Sequence, residues 1–425
     1  MVKRPSFFYG WVIVGIGIIT TTLVYGTRSS FGVFFPPILN EFGWSRGSTA
    51  LMLSLNLLVY GFTAPFAGSL GDRWRPKRVM LIGIIVLVVA VAGCSLAREL
   101  WHFYVLFGVL VPVGTAFAGW PLLAPALANW FTQKRGLALG MGQSGSGLAY
   151  VTYGIFANFL IEELGWRYTY LVFAGILAVV MLPVFIFTFY ARPEDIGLKS
   201  YGTGDVLSQN VGNHAESQEW TLKRALGTYQ LWLMALSQFL FWGIAGYLII
   251  AHQVKFAEDV GYSSTYAAFI MSLFGVFMTF GLACGFLSDR LGREVTMTIA
   301  IALSIVAVVA LLAVRDTSQP WLFIVYAVCA GFGAGLYLPT FNAGLADMYH
   351  GKNFGVIVGI TLAGFGTGGV IGPWLGGLIY DRTGSYADAF ILVIVGFALS
   401  CIVFWLAAPR KAARIRARAF GSGSI

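Results

Sequence analysis

Charge is scarce in this sequence: only 11% of its 425 residues are Asp, Glu, Lys or Arg, against roughly 25% in an average soluble protein. Acids are fewer than bases, 18 against 27, and histidine occurs only four times. The four cysteines, Cys94, Cys284, Cys329 and Cys401, all fall inside apolar runs without paired spacing. They read as packing residues, which excludes a disulfide framework and a Cys-based metal site. No glycine-rich phosphate loop follows a strand, and no set of carboxylates, metal ligands or nucleophiles shares one segment. A nucleotide-driven machine and an enzyme are therefore not expected, and no cofactor is implied.

What is abundant is apolar surface: 58% of side chains are hydrophobic, 16% aromatic, and the mean hydropathy is +0.79. A membrane helix needs about 20 mostly apolar residues. Apolar runs predict spans near 8–36, 46–70, 78–97, 101–128, 136–161 and 166–190, then 226–256, 262–287, 294–314, 318–347, 352–380 and 385–408. The expectation is an all-α polytopic membrane protein with 12 transmembrane helices in two six-helix bundles. Residues 1–190 form the first bundle, 191–225 a polar central loop, 226–408 the second bundle and 409–425 a basic tail. Lys3 and Arg4 precede an apolar segment too long for a signal-peptide core, so a retained first helix is expected.

The net charge of +9 is distributed as a membrane topology requires, which removes nucleic acid as a partner. With both termini placed in the cytoplasm, 20 of the 27 Lys and Arg fall on cytoplasmic segments. Arg46, Arg98, Arg167, Lys255, Arg315 and Arg382 are spread one to each external segment. The positive-inside rule thus sets the orientation. The halves also repeat. Gly68-Ser-Leu-Gly-Asp72-Arg73 matches Gly285-Phe-Leu-Ser-Asp289-Arg290, and Gly43-Trp-Ser45 matches Gly261-Tyr-Ser263, at offsets of 217 and 218. Gly145, Gly147 and Gly165 match Gly364, Gly366 and Gly384 at an offset of 219. Parallel repeats of this kind place a solute site at their interface near the bilayer midplane.

The element G-x-x-x-D-R-x-G-R is complete from Gly285 through Asp289 and Arg290 to Arg293, and degraded at Gly68, Asp72 and Arg73. It resembles the cytoplasmic loop signature of the major facilitator superfamily, in which these residues act as a conformational latch. Tyr9-Gly10-Trp11-Val12 and Trp130-Phe131-x-x-Lys134-Arg135-Gly136-Leu137-Ala138-Leu139-Gly140 resemble the first- and fifth-helix signatures of monocarboxylate transporters. Arg192-Pro193-Glu194-Asp195-x-Gly197-Leu198 resembles the central loop of their bacterial relatives near the oxalate–formate exchangers.

Arg28 stands about 20 residues into the first span, and an intramembrane arginine costs at least about 2.5 kcal/mol unless it is paired or functional. It is read either as an anion anchor or as a headgroup-seeking side chain. The resemblance implies the first, because a substrate-binding lysine of monocarboxylate transporters stands at the matching place before Ser30-x-x-x-Phe34-Phe35. The same resemblance brings a departure: Phe277 and Gly281 replace an aspartate and an arginine of the family's eighth span, which weakens a simple lactate-type proton symport. Polar and aromatic residues within spans supply further cavity candidates: Asn56, Tyr60, Trp120, Gln143, Tyr150, Tyr247, Tyr337 and Asn342. All carboxylates fall at span ends or in loops, so proton coupling would need His252, the substrate's own carboxylate or water near Arg28.

The resulting expectation is a secondary transporter of small organic anions, chiefly monocarboxylates, by proton symport or anion exchange. It would lie in a bacterial inner membrane with the lipid bilayer, its solute and protons as partners. Efflux of amphipathic drug-like solutes is the alternative, and a transporter-like receptor a more distant one.

Overall fold

A computed structural model describes residues 8–131, 135–201, 220–349, 354–412 and 415; the side chains at 72–73, 135–137 and 354–355 lie outside the description. Asp72 and Arg73, as side chains, and most of the expected central loop and basic tail therefore fall outside it. Among the described residues, eleven helices are long and apolar enough to cross a membrane. One of them breaks at Gly165, whose φ of 80° and ψ of 160° are not helical, and so divides into two. Twelve spans result.

In chain order these are α1 (Gly10–Phe42), α2 (Arg46–Arg73), α3 (Pro76–Cys94), α4 (Leu100–Trp130), α5 (135–164) and α6 (166–188). The second set is α7 (Tyr229–Val260), α8 (Ser264–Leu291), α9 (Arg293–Ala313), α10 (Pro320–Tyr349), α11 (Phe354–Thr383) and α12 (Ala387–Ala407). Expected boundaries agree to within a few residues, except that α1 runs on to Phe42 rather than stopping near 36. Pro36 and Pro37 do not end it. In a membrane helix, neighbouring helices and local backbone adjustment re-satisfy the groups that a proline frees.

The sequence repeat has a direct structural meaning at two corners. Gly43 and Gly261 take positive φ, 65° and 107°, and end α1 and α7 in a conformation that suits glycine. Two residues on, Ser45 Oγ accepts the backbone N–H of Ser48, and Ser263 Oγ accepts that of Tyr266. Each serine satisfies an orphan donor at the start of the next helix. The repeated Gly-x-Ser is thus a helix stop followed by a helix start.

Three seams join the two sets of six helices. At the α2–α11 crossing, a Cβ on Gly61 would sit 3.1 Å from the Cα of Gly366, so only small residues let these backbones approach. The α5–α8 seam brings Gly147 against Gly275, and the α1–α7 seam places Gly32 against the carbonyl of Ile250. Polar ties between the sets gather at one end, here called distal, opposite the end where α1 begins and α12 finishes. There the Arg46 guanidinium pairs with Asp259, and the N–H groups of Arg46 and Gly47 donate to Asp381 at 3.0 and 2.8 Å. Ser264 and Thr265 of α8 donate to Glu162 at the end of α5.

Candidate functional site

Arg28 lies on α1 where it faces α2 and α7, and is 8% exposed. Its guanidinium carbon is 4.9 Å from the Tyr60 ring, 5.2 Å from Tyr25 and 5.7 Å from Tyr247. Tyr150 of α5 is within electrostatic reach of Arg28 and of Tyr247. The Tyr25 and Tyr60 hydroxyls share a hydrogen bond of 3.1 Å. Three helices of the first bundle and one of the second therefore converge on a single cation.

Aromatic faces attract a cation through their quadrupole, by about 2 kcal/mol or more once water is excluded. They do not satisfy N–H donors. Arg28 Nη1 is buried with no hydrogen-bond partner among the described residues, and no carboxylate there pairs with Arg28. Rings pack around the guanidinium while an N–H remains for an acceptor, and that arrangement suits an anion held by a charge-assisted hydrogen bond. The side chain is turned toward the interface between the bundles, where Tyr60 and Tyr247 meet it.

The other expected cavity residues divide. Tyr60 and Tyr247 join Arg28 directly. Tyr337 does not: it is fully buried inside the second bundle, stacked on Phe241 at 3.9 Å, with its hydroxyl 3.0 Å from Ser237. Asn56 donates to the Phe107 carbonyl at 2.8 Å, tying α2 to α4 within the first bundle. That carbonyl belongs to the π-helical turn Leu106–Leu110. Trp120 follows the α4 break at Gly119, and its ring lies close to Gly142 of α5. Gln143 stands two helical turns from Tyr150 on the same side of α5, with its Oε1 buried and unpartnered. Tyr25 is the cage residue that sequence reasoning passed over. Its signal was spacing, since three residues before Arg28 is the same face of a helix.

His252 is completely buried between α7 and α11. Its Nε2 is 2.8 Å from the Pro373 carbonyl, which can only accept, so Nε2 carries the proton. Nδ1 then accepts from the Tyr386 hydroxyl at 3.1 Å, and that hydroxyl accepts from Arg46 at 2.9 Å. Both ring nitrogens are engaged, in a chain that ends on the distal Arg46–Asp259 pair.

The family model of the Major Facilitator Superfamily matches residues 17–317 and 231–422, which together span nearly all of the sequence. The chain belongs to the major facilitator superfamily. It is accordingly an integral membrane protein of a non-enzymatic transporter family. It is 25% identical over 393 residues to Monocarboxylate transporter 13 of Rattus norvegicus, covering 92% of this chain and 87% of that one. It is 26% identical over 419 residues to Monocarboxylate transporter 11 of Mus musculus, covering 96% and 89%. An uncharacterized MFS-type transporter of Bacillus subtilis, YcxA, is 23% identical over 390 residues, covering 88% and 90%. A bacterial homolog of the human lysosomal transporter Spinster, solved inward-facing and unoccupied, superposes with a TM-score of 0.68 at 18% identity. That match covers 98% of this chain and 99% of the other, and is a likeness of fold.

The superfamily loop signature has a clear geometry in the second bundle. Arg293, first in α9, donates to Asp289 at 2.5 Å, to Ser288 at 2.7 Å and to Asp347 of α10 at 2.8 Å. The Arg290 guanidinium lies 5.5 Å from the Phe286 ring. Gly285 lets α8 approach Pro339 of α10, because a Cβ there would meet the proline ring at 2.8 Å. In this state the signature joins three helices of its own bundle. Phe277 and Gly281 face α10: an added Cβ on Gly281 would meet the backbone of Gly335 at 3.0 Å, and Phe277 packs against Gly331.

Proposed function

We propose that this protein is a secondary active transporter of small organic anions, chiefly monocarboxylates, and that Arg28 is its anion anchor. One observation carries the reading: a guanidinium buried where the two bundles meet, with an N–H that has no partner and no carboxylate paired with it among the described residues. Burying an unpaired charge is costly, and an anionic solute removes that cost. Because α1, α2, α5 and α7 all contribute to the cage, binding there acts on both bundles at once. A solute that binds one arrangement of the bundles better than another shifts the balance toward it.

The chain sits in a bacterial inner membrane with both termini in the cytoplasm, the orientation its basic residues favour. The distal end then faces outward. Its ties at Arg46, Asp259, Asp381 and Glu162 hold the outer side shut, and the alternate arrangement would instead engage the cytoplasmic loop signatures. Proton symport and anion exchange both fit a site without its own carboxylate, since the solute's carboxylate would carry the charge or the proton. Efflux of amphipathic solutes is the second reading, favoured by the aromatic cage and by Phe277 and Gly281 where the family carries charges.

The test is a thermal-shift panel of carboxylates against neutral and cationic solutes on the purified protein, followed by counterflow in liposomes. Stabilisation and counterflow confined to carboxylates support anion transport. Stabilisation by cationic or neutral amphipaths alone supports efflux.

A further inference from the structure

The last span ends in a conformation that its own residue does not favour. Ala408 takes φ 50° and ψ 60°, and it is the one non-glycine residue with positive φ among the described residues. A residue with a Cβ keeps that conformation only where its surroundings hold it. Two contacts do so here. Pro409 is buried against Gly344 of α10, where an added Cβ would meet the proline ring at 3.2 Å. The backbone N–H of Arg410 donates to the buried carboxylate of Glu294, the second residue of α9, at 3.0 Å. The start of the basic tail is thereby fastened to α9 and α10.

Fastening the backbone leaves the Arg410 side chain outside. It is 53% exposed, and its nearest approach to Glu294 is 3.9 Å, at Nε. Its guanidinium makes no hydrogen bond to the described residues and lies 4.9 Å from the Trp405 ring. Trp405 Nε1 in turn donates to Thr298 Oγ1 at 2.9 Å and so joins α12 to α9. A tryptophan at the end of a span, with a cation over its face, sits at headgroup level. Toward the bilayer centre from it, Ile299 of α9 and Ile402 of α12 are exposed, and Leu406 is exposed beside it. Lys411 is exposed next to Arg410. In sequence Arg414, Arg416 and Arg418 follow, and no Asp or Glu occurs from Ala389 to Ile425. Four to eight basic residues directly after a membrane span suit an anionic bilayer surface.

We propose that an anionic phospholipid binds where α9 and α12 meet, with its phosphodiester held by Arg410 and Lys411 and its acyl chains along Ile299, Ile402 and Leu406. The guanidinium fork matches two phosphate oxygens. Glu294 acts through the backbone: it fixes where Arg410 stands, one residue after Arg293 of the loop signature. Each further tail arginine near an anionic surface strengthens the attraction about fivefold. The site lies wholly in the second bundle and is independent of Arg28.

The experiment titrates the purified full chain in detergent with dioctanoyl phosphatidylglycerol and with dioctanoyl phosphatidylcholine, read by native mass spectrometry and thermal shift. Wild type should bind the glycerol lipid about tenfold or more tightly than the choline lipid. Arg410→Gln with Lys411→Gln, which keeps the backbone N–H on Glu294, should erase most of that preference. Arg410→Lys, a milder change, should lose a few-fold, because charge remains and the fork is lost. Arg414→Gln, Arg416→Gln and Arg418→Gln together should weaken it several-fold. Arg75→Gln with Arg78→Gln, the same charge removed at the start of α3, should leave it unchanged. Glycerol 1-phosphate, the headgroup chemistry without acyl chains, should neither bind measurably nor compete. The proposal is overturned if wild type binds the two lipids alike, or if the Arg410 and Lys411 changes cost no more than the Arg75 and Arg78 changes. Glycerol 1-phosphate binding as tightly as the lipid would also overturn it, since a free phosphate would then be the ligand.

Discussion

Arg46, the first residue of α2, pairs with Asp259 near the end of α7, so an ion pair ties the first bundle to the second at the distal end. Around it the Arg46 guanidinium lies over the Tyr380 ring at 3.6 Å, and Lys255 approaches Asp259 at 3.1 Å. Asp381 accepts from the first two N–H groups of α2, where a carboxylate also complements the helix dipole. None of these residues belongs to the superfamily loop signature, yet they close the end opposite to it.

Breaking the clasp should open that end. A charge-assisted hydrogen bond commonly contributes about 1.5–3 kcal/mol, so Arg46→Ala should raise the distal-open population roughly ten- to hundredfold. A cysteine at Phe42, in a chain without its four native cysteines, reports this through its rate of modification by a membrane-impermeant maleimide. The exchanged pair, Arg46→Asp with Asp259→Arg, should bring the rate back toward wild type. Unchanged labelling in Arg46→Ala would show that the clasp holds nothing closed.

The loop signature should govern cycling rather than binding. Asp289 orients Arg293, which also reaches Asp347. Asp289→Asn, and more mildly Asp72→Asn, should slow liposome exchange while substrate affinity stays within a few-fold. A large loss of affinity at normal exchange rates would place the signature in the binding site instead.

His252 should act as a structural strut between α7 and α11. Removing its ring leaves the Tyr386 hydroxyl without its acceptor and the Pro373 carbonyl without its donor. Each buried unsatisfied group costs about 1–3 kcal/mol. His252→Ala should therefore lower thermal stability while the pH dependence of uptake keeps its shape. A flattened pH profile at wild-type stability would make His252 the proton carrier.

The spans were legible because a bilayer demands long apolar runs, and twelve of them leave little of this chain over. The repeat was legible for a related reason: glycines such as Gly43 and Gly261 occupy a backbone conformation that other residues rarely adopt. Site residues were harder to read. A polar side chain inside an apolar span signals that it needs a partner, not where the partner lies. Asn56 finds the Phe107 carbonyl and Tyr337 finds Ser237, each within its own bundle. Tyr60 and Tyr247 look the same in sequence but meet Arg28, Tyr60 from within its own bundle and Tyr247 across the interface. Helical phase relative to Arg28 would have added Tyr25, which lies on the same helix.

Arg28 is where the account is most directly exposed. Carboxylate binding should be measured by calorimetry on wild type, Arg28→Ala and Arg28→Lys, each confirmed to insert and purify as a folded chain. Loss of a charge-assisted bond predicts at least a ten- to hundredfold weakening in Arg28→Ala. Arg28→Lys should retain part of the affinity, because charge survives while the planar fork is lost. Carboxylates bound as tightly by Arg28→Ala as by wild type would contradict the account.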